Sequence, residues 1–202
     1  MKRLAALTLL GTILSVATAL AVSRPAFSEP RAGAHAEAHA NVKAPPGFRD
    51  ACRRYAWLCA GPRSSSAPRI PDDRALSMAR SINRHVNRSI IQVEDSVNYG
   101  VPEYWTLPDN GRGDCEDLAL LKKKKLLDRG LSPRRLLLAV VLDRRGDNHT
   151  VLLLRLKSAD VVLDSLTDRI ASWNEVGYTF LAKQLSEDKS RWGVLLSRSA
   201  RH

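Results

Sequence analysis

Three runs of leucine and β-branched residues, separated by short turn-like breaks, limit the folds that are open to this chain. The runs cover residues 136–142, 150–156 and 161–166, and each has the length of a strand. The breaks at 144–148 and 157–160 are too short to hold a crossover helix. The three strands are therefore predicted to form an antiparallel meander.

A helix is predicted directly upstream of this meander. The turn-rich loop 109–113 leads into an apolar run that continues to Leu127, and Gly130 follows as a stop signal. An earlier helix is predicted from about 73 to 91, where apolar residues recur at helical spacing after a potential N-cap. Helices followed by a run of strands predict an α+β fold, with the later helix packed on an antiparallel sheet.

The N-terminal segment has the form of a secretory signal. Two basic residues precede the apolar run 4–22, and small residues permit cleavage after Ala21 or Ser28. The run is close to the ~20 residues that a helix needs to cross a bilayer, so an uncleaved inner-membrane anchor is the alternative. We expect a signal peptide over residues 1–28 and export to the periplasm.

Residues 29–45 are rich in Ala, Glu, His and Pro and have no apolar period, so they are interpreted as a flexible linker. The remaining residues, 46–202, have the length of one folded domain. His35 and His39 are four residues apart, but a lone histidine pair in a tether is taken as incidental rather than as a metal site.

The chain is basic, with 32 Lys and Arg residues against 21 Asp and Glu residues. The basic residues are scattered, only 5% of the residues are aromatic, and the sequence has no DNA- or RNA-binding motif. We therefore exclude nucleic acid as a partner. The dense run Lys122–Lys125 falls within a predicted helix and is interpreted as a solvated face, with a docking patch for an acidic partner as the alternative.

The spacing of two cysteines tests whether they can pair. Cys52 and Cys59 are seven residues apart. On one continuous helix this is about 10.5 Å of rise, which exceeds the ~7 Å that a disulfide allows between Cα atoms. A disulfide therefore needs a bend between the two residues. The oxidising compartment of an exported protein favours the disulfide, and two free buried thiols are the alternative. Pairing would leave Cys115 as a free thiol.

Three residues at the ends of predicted elements carry chemistry. Cys115 begins a helix, where the helix dipole stabilises a thiolate, His149 opens the second strand, and Asp164 ends the third. Taken separately, the thiol could be a buried apolar group, the imidazole a turn residue and the carboxylate a strand-end cap. Taken together, their order brings a nucleophile, a base and an orienting carboxylate to one end of the sheet.

Four motifs surround these residues. They are Tyr104-Trp105, Gly111-Arg112-Gly113-Asp114-Cys115-Glu116-Asp117-Leu118-Ala119-Leu120, His149-Thr150-Val151-Leu152 and Val162-Leu163-Asp164. The motifs resemble those of the bacterial transglutaminase-like cysteine proteinases, a family that includes periplasmic proteases of the LapG type, and the likeness covers about residues 45–195. The resemblance implies a papain/transglutaminase-like core in which Cys115 is the nucleophile, His149 the base and Asp164 the residue that orients the base.

The predicted nucleophile lies beside Asp114, Glu116 and Asp117, whose negative charges are expected to raise the pKa of its thiol. A bound cation would offset this effect, and Ca²⁺ prefers clustered carboxylate oxygens. LapG-type proteases are calcium-dependent, so the resemblance implies Ca²⁺ with Asp114 and Glu116 as candidate ligands. Asp143 or Asp147 could complete the site. Alternatively, nearby basic residues and the preference for acids at helix N-termini account for these carboxylates.

The predicted reaction is acyl transfer, in which a thiolate attacks a peptide carbonyl and water releases the thioester. We expect a monomeric endopeptidase whose substrate is a surface or periplasmic protein and whose regulator is an inner-membrane protein. The backbone N–H of Cys115 is the expected oxyanion donor, and Trp105 is either a second donor or a packing residue. The alternative functions are a protein-crosslinking transglutaminase and a non-catalytic binding module of the same fold.

Overall fold

The computed structural model describes residues 35–60 and 69–198. The signal peptide or anchor predicted over residues 1–28 lies outside the described residues. Within the described ranges, no helix combines the length and the apolar character needed to span a membrane.

Helices and strands alternate irregularly along the described chain. The helices are α1 (Phe48–Arg54), α2 (Ala56–Cys59), α3 (Asp72–Ser89), α4 (Asp95–Asn98) and α5 (Cys115–Asp128), and one 3₁₀ turn covers Pro133–Arg135. The strands are β1 (Ala40–Val42), β2 (Ile91–Gln92), β3 (Arg112–Gly113), β4 (Leu136–Leu142), β5 (Asn148–Arg155), β6 (Asp160–Leu163), β7 (Ala171–Ser172), β8 (Thr179–Gln184) and β9 (Trp192–Arg198).

Seven strands form one antiparallel sheet in the order β1-β9-β8-β4-β5-β6-β7, and β2 pairs with β3 in parallel as a separate ladder. The centre of the sheet, β4-β5-β6, is the predicted meander, with Val141 opposite His149 and Leu152 opposite Leu163. The predicted α+β fold, with a cysteine-bearing helix on an antiparallel sheet, is confirmed.

Both faces of the sheet are covered, which explains why the meander strands are continuously apolar rather than alternating. Helix α5 packs between α3 and the sheet. On this face, Leu118 of α5 belongs to the same buried cluster as Leu152. On the opposite face, Leu137 and Leu153 are buried in a cluster with Phe180 of β8.

The lysine run of α5 is largely buried. Lys122 and Lys123 are 1% and 0% exposed, because α5 has the sheet on one side and α3 on another. Lys123 donates a hydrogen bond to Oε1 of Gln184 in β8, whereas Lys124 pairs with Asp128 on the helix surface. The interpretation of this run as a solvated face or a docking patch is therefore wrong for Lys122 and Lys123.

The flexible linker predicted over residues 29–45 is wrong for its described part, residues 35–45. Strand β1 pairs with β9 and forms one edge of the sheet. Ala36 is fully buried and its N–H donates to Oδ2 of Asp160 at 3.0 Å, while Nδ1 of His35 lies 3.1 Å from Oδ1 of the same carboxylate. A three-residue edge strand with exposed side chains has no apolar period, so the sequence pattern could not reveal it.

Cys52 and Cys59 form a disulfide, with their Cα atoms 5.6 Å apart. The chain bends at Tyr55, between α1 and α2, where φ is −121° and ψ is 85°. This bend brings the two cysteines closer together than a continuous helix would allow. Cys115 remains a free thiol.

A buried lysine in the β8–β9 hairpin couples stability to pH. Lys189 is 0% exposed, and its Nζ donates to the carbonyl oxygens of Leu185 at 3.1 Å and Ser186 at 3.0 Å. Burial lowers the pKa of Lys189 from 10.5 to about 7, because desolvation disfavours the ammonium form. Above pH 7 the folded protein holds this lysine neutral, whereas the unfolded chain keeps it protonated to about pH 10.

We predict that Lys189 contributes a rise in the free energy of unfolding between about pH 7 and pH 9, since the unfolded chain keeps its proton in this range and the folded protein does not. The Lys189→Met variant should lose about 1 kcal/mol or more of this rise, as measured by urea denaturation across the range. Exposed Lys157 provides the matched control, because Lys157→Met should keep the wild-type slope. Equal slopes for Lys189→Met and the wild type would contradict the prediction.

Candidate active site

Cys115 is the first residue of α5, and local contacts hold it in place. Gly113 lies two residues earlier, where an added Cβ would be 2.7 Å from Oδ2 of Asp117, so a side chain does not fit. The backbone N–H of Thr150 donates to Sγ of Cys115 at 3.4 Å. This contact joins the start of α5 to the start of β5.

His149 and Asp164 form a buried hydrogen-bonded pair. Nε2 of His149 lies 2.8 Å from Oδ1 of Asp164, and the two residues are 6% and 3% exposed. Because β5 and β6 are antiparallel neighbours, the start of β5 and the end of β6 lie at the same end of the sheet. The structure therefore brings all three sequence-predicted residues, Cys115, His149 and Asp164, to the same end of the sheet.

Asp164 has partners in addition to His149. Oη of Tyr178 donates to Oδ2 at 2.5 Å, and the backbone N–H of Leu166 donates to Oδ1 at 2.9 Å. Burial opposes ionisation, but the hydrogen bonds from His149 and Tyr178 outweigh it and lower the pKa of Asp164 below its usual value. Sequence reasoning gave Tyr178 no role, because nothing in its spacing relates it to Asp164.

Helix α3 holds the loop that follows Asp164. Nδ2 of Asn87 donates to the carbonyl oxygens of Asp164 at 3.0 Å and Thr167 at 3.1 Å, and Nδ2 of Asn83 donates to Thr167 at 3.0 Å. The two asparagines are one helical turn apart, so they reach the same loop. The backbone of Asp164 is thus tied to a second helix.

The thiol of Cys115 lies among acidic groups, as its sequence neighbours predict. Its Sγ donates to Oε2 of Glu116 at 3.1 Å. Burial, followed by the charge of Glu116, raises the pKa of the Cys115 thiol well above its usual value. Burial, followed by the charge of Asp114, also raises the pKa of Glu116.

Three carboxylates cluster beside the thiol. Asp95, Asp114 and Glu116 place one oxygen each within 4.8 Å of one another. The Oδ1 atoms of Asp95 and Asp114 are buried and have no hydrogen-bond partner among the described residues. Such atoms are unfavourable unless a ligand satisfies them, and an all-carboxylate set suits a hard divalent cation.

The sequence reasoning named Asp114 and Glu116 for this cluster but missed Asp95. Asp95 begins helix α4, which follows β2, and the pairing of β2 with β3 brings it close to the start of α5. The backbone N–H of Tyr104 donates to Oδ2 of Asp95 and holds the side chain in place. No ligand motif links residues so far apart in the chain, so the signal was absent from the sequence.

The other carboxylates considered as ligands have different roles. Oδ1 of Asp143 accepts hydrogen bonds from the backbone N–H groups of residues 145–147 and closes its own turn. Neither Asp143 nor Asp147 belongs to the three-carboxylate cluster in the described part of the chain. Oδ1 of Asp117 accepts from the N–H of Thr106 at 2.7 Å, which anchors the segment that precedes the cysteine loop.

Trp105 packs in the core rather than pointing its indole N–H at the thiol. The residue is 2% exposed, and its ring meets Phe48 and Trp192 edge to face, with centroids 5.5 and 6.3 Å apart. Its Nε1–H donates to Oε2 of Glu103 at 3.1 Å. Of the two sequence-based interpretations of Trp105, the packing role is the one that fits.

The thiol and the imidazole lie on the wall of one cavity of about 710 Å³. Glu103 and Trp105 border the cavity on the side of the carboxylate cluster, and Arg145 and Asp147 border it on the side of the β4–β5 turn. A cavity of this size accommodates several residues of a peptide.

Comparisons with known proteins agree with this arrangement. The family model for bacterial transglutaminase-like cysteine proteinase BTLCP matches residues 38–200. No curated protein matches the chain.

Two solved structures share its fold. Calcium-bound Legionella pneumophila LapG is 20% identical, with a TM-score of 0.52 over 65% of this chain and 75% of that chain. EGTA-treated Legionella pneumophila LapG is 21% identical, with a TM-score of 0.52 over 64% of this chain and 72% of that chain. Since the family model spans most of the sequence, this chain belongs to the bacterial transglutaminase-like cysteine proteinases and is a transglutaminase-like cysteine protease.

Proposed function

We propose that this protein is an exported cysteine endopeptidase that cleaves a protein substrate through Cys115, His149 and Asp164. The observation that carries the proposal is the buried pair of His149 and Asp164 at the cavity wall on which Cys115 also lies. A thiol, an imidazole and an ionised carboxylate in this order are the groups that acyl transfer requires.

The hydrogen bond to Asp164 assigns a role to each nitrogen of His149. With Nε2–H donating to the carboxylate, Nδ1 is the nitrogen that can accept the proton of the Cys115 thiol. The ionised carboxylate then stabilises the imidazolium that forms, and it holds the ring in one tautomer. Tyr178 acts one step further away, because it fixes the second oxygen of Asp164.

The reaction that follows has two stages. The Cys115 thiolate attacks the carbonyl carbon of the scissile peptide, and the backbone N–H at the start of α5 donates to the developing oxyanion. The imidazolium gives its proton to the leaving amine as the C–N bond breaks, which leaves a thioester on Sγ. His149 then takes a proton from water, the hydroxide oxygen attacks the thioester, and the acid product leaves as the thiol is restored.

We further propose that Asp95, Asp114 and Glu116 hold Ca²⁺. The fit rests on the two buried carboxylate oxygens without hydrogen-bond partners and on an all-oxygen ligand set. The fold likeness to calcium-bound Legionella pneumophila LapG supports the same ion. When bound, the ion supplies positive charge that offsets the carboxylates next to Cys115 and thereby favours the thiolate.

Export to the periplasm is part of the proposal. It is supported by the basic and apolar residues of segment 1–28, with an uncleaved anchor as the alternative form, and by the Cys52–Cys59 disulfide, which persists in oxidising compartments. A surface or periplasmic substrate protein and an inner-membrane regulator remain predictions.

Replacing the nucleophile tests the function directly. We predict that Cys115→Ala lowers peptide-bond cleavage by about 10³-fold or more, because no other group in the site can form the thioester. Thermal unfolding should be nearly unchanged, since the side chain lost is small. In cells, the proteome of the Cys115→Ala strain should contain an uncut surface or periplasmic protein that is shortened in the parent strain.

Product analysis separates the endopeptidase from the alternatives. Endopeptidase activity yields new N-termini, whereas a transglutaminase incorporates an added amine donor into protein glutamine side chains. Cleavage by Cys115→Ala at the wild-type rate, or amine incorporation without new N-termini, would contradict the proposed function.

Tyr178→Phe tests the positioning of Asp164. Loss of the Oη hydrogen bond removes one stabilising partner from the carboxylate, so we predict a fall of about tenfold in kcat, a smaller change in KM and a shifted acidic limb of the pH–rate profile. Tyr55→Phe is the matched control, because its Oη also makes hydrogen bonds, to Thr106 and Leu107 outside the His149–Asp164 pair. An equal loss of kcat in both variants would indicate a general packing effect and contradict the positioning role.

Asp95→Asn tests the cation site. We predict that calorimetric titration with Ca²⁺ shows binding to the wild type, that EGTA lowers both its melting temperature and its activity, and that Asp95→Asn weakens binding by about tenfold or more. Asp147→Asn removes a carboxylate from the same cavity but outside the cluster, so its affinity for Ca²⁺ should equal that of the wild type. A Ca²⁺ affinity in Asp95→Asn equal to that of the wild type would contradict the proposed cation site.

A further inference from the structure

A second cavity, of about 390 Å³, adjoins the active-site cavity. Asp143, Arg145 and Leu166 line both cavities, so the two are neighbouring parts of one groove. Asp164 and its partner Tyr178 line the inner wall of the second cavity. A substrate that crosses the active site toward the β4–β5 turn therefore passes into this second cavity.

The second cavity, which we call the arginine pocket, is lined by Arg144, Arg145 and Arg169. All three residues are exposed. In the described part of the chain, none of the three guanidinium groups forms an ion pair. Three arginines against the two carboxylates of the lining, Asp143 and Asp164, leave a net positive charge, which creates a local positive potential.

Arg144 is held in a defined position at the rim of the arginine pocket. Its Nε donates to the carbonyl oxygen of Val176 at 3.0 Å. Gly177 lies beneath it with φ at +79°, and an added Cβ there would lie 3.3 Å from the same Nε. A guanidinium fixed in this way needs less ordering when a ligand binds, which favours binding.

The carboxylates of the arginine pocket are occupied by other contacts. Both oxygens of Asp164 accept hydrogen bonds, from His149, Leu166 and Tyr178. Oδ1 of Asp143 accepts three backbone N–H groups of its own turn. Since no carboxylate of the described residues lies within ion-pair distance of the three arginines, most of their N–H groups are available to a carboxylate from outside.

The active-site cavity contains acidic side chains. Glu94 and Glu103, which are not among the proposed cation ligands, line the active-site cavity and are not part of the arginine pocket. A peptide with an acidic side chain is repelled from these carboxylates and attracted to the arginine pocket. The groove thus distinguishes the two directions in which a chain could cross it.

We propose that the arginine pocket is a specificity subsite that binds an Asp or Glu side chain of the substrate at one fixed position relative to the scissile bond. Arginine suits this task because its planar guanidinium can bind a carboxylate through two parallel hydrogen bonds. The proposal rests on the proposed endopeptidase function and adds the chemical class of substrate residue that this end of the groove selects.

A peptide library tests the subsite. Wild-type protein is incubated with peptides that are randomised on both sides of the cleavage position, and the products are sequenced. Two peptides that differ only in Glu or Gln at the selected position are then compared by kcat/KM. We expect enrichment of Asp and Glu at one position, and a Glu-to-Gln ratio of about ten or more, which is the usual effect of a charged hydrogen bond.

Two double variants identify the residues responsible. In Arg145→Gln/Arg169→Gln only Arg144 remains in the pocket, so the Glu-to-Gln ratio should fall by about threefold or more. Arg129→Gln/Arg134→Gln makes the same change in net charge at exposed sites at and beyond the far end of α5, and it should keep the wild-type ratio. Cleavage without acidic preference in the wild type, or an unchanged ratio in Arg145→Gln/Arg169→Gln, would overturn the proposal.

Failure of the subsite can be told apart from failure of the enzyme. If the library stays intact, the proposed function is contradicted, and the pocket is judged by binding to immobilised Cys115→Ala protein. Retained peptides enriched in Asp and Glu, with the enrichment reduced when Arg145→Gln/Arg169→Gln is added, support the pocket. Retention without this enrichment, or no retention above the bare resin, overturns it.

Discussion

Helix α5 is buried between α3 and the antiparallel sheet, and this packing sets the position of its first residue, Cys115. The helix cannot shift along the sheet without moving buried leucines out of a close-packed cluster. The start of the helix therefore stays against the start of β5, where the N–H of Thr150 meets Sγ. The antiparallel pairing of β5 with β6 then places His149, near the start of β5, beside Asp164, which follows the end of β6. These two packing relationships bring Cys115, His149 and Asp164 to one end of the sheet.

Carboxylates in two environments surround the site, and burial acts differently on each. Asp164 is buried with hydrogen-bond donors on both oxygens, so its pKa falls and it stays ionised beside His149. Asp95 and Asp114 each keep a buried Oδ1 without a hydrogen-bond partner among the described residues, and burial raises the pKa of both and of Glu116. Hydrogen-bond donors favour the ionised form of Asp164, whereas their shortage at the cluster is the feature that the proposed Ca²⁺ would compensate. Glu94 and Glu103 add negative charge to the active-site cavity, whereas the arginine pocket adds positive charge to the adjoining cavity.

Much of the fold could be predicted from local pattern. The helix over Asp72–Ser89, the helix that begins at Cys115 and the three meander strands all have clear periodicity or turn signals, and the structure places them close to the predicted bounds. Strand β1 could not be predicted, because three exposed residues become a strand only by pairing with β9. The burial of Lys122 and Lys123 was also hidden, since lysine is rarely buried and only the packing of α5 between α3 and the sheet encloses them.

The candidate site likewise has features that the sequence predicts and features that only the tertiary structure shows. The order of Cys115, His149 and Asp164 on a helix and two adjacent strands is a property of the linear chain, because short connections leave few ways to arrange such elements. Asp95, Tyr178 and the arginine pocket belong to segments that approach the site only through strand pairing and loop packing across long stretches of chain. Local propensity acts over a few residues and can define those elements. The carboxylates, hydrogen bonds and charges that tune the thiol depend on contacts between distant segments, which exist only after the whole domain has folded.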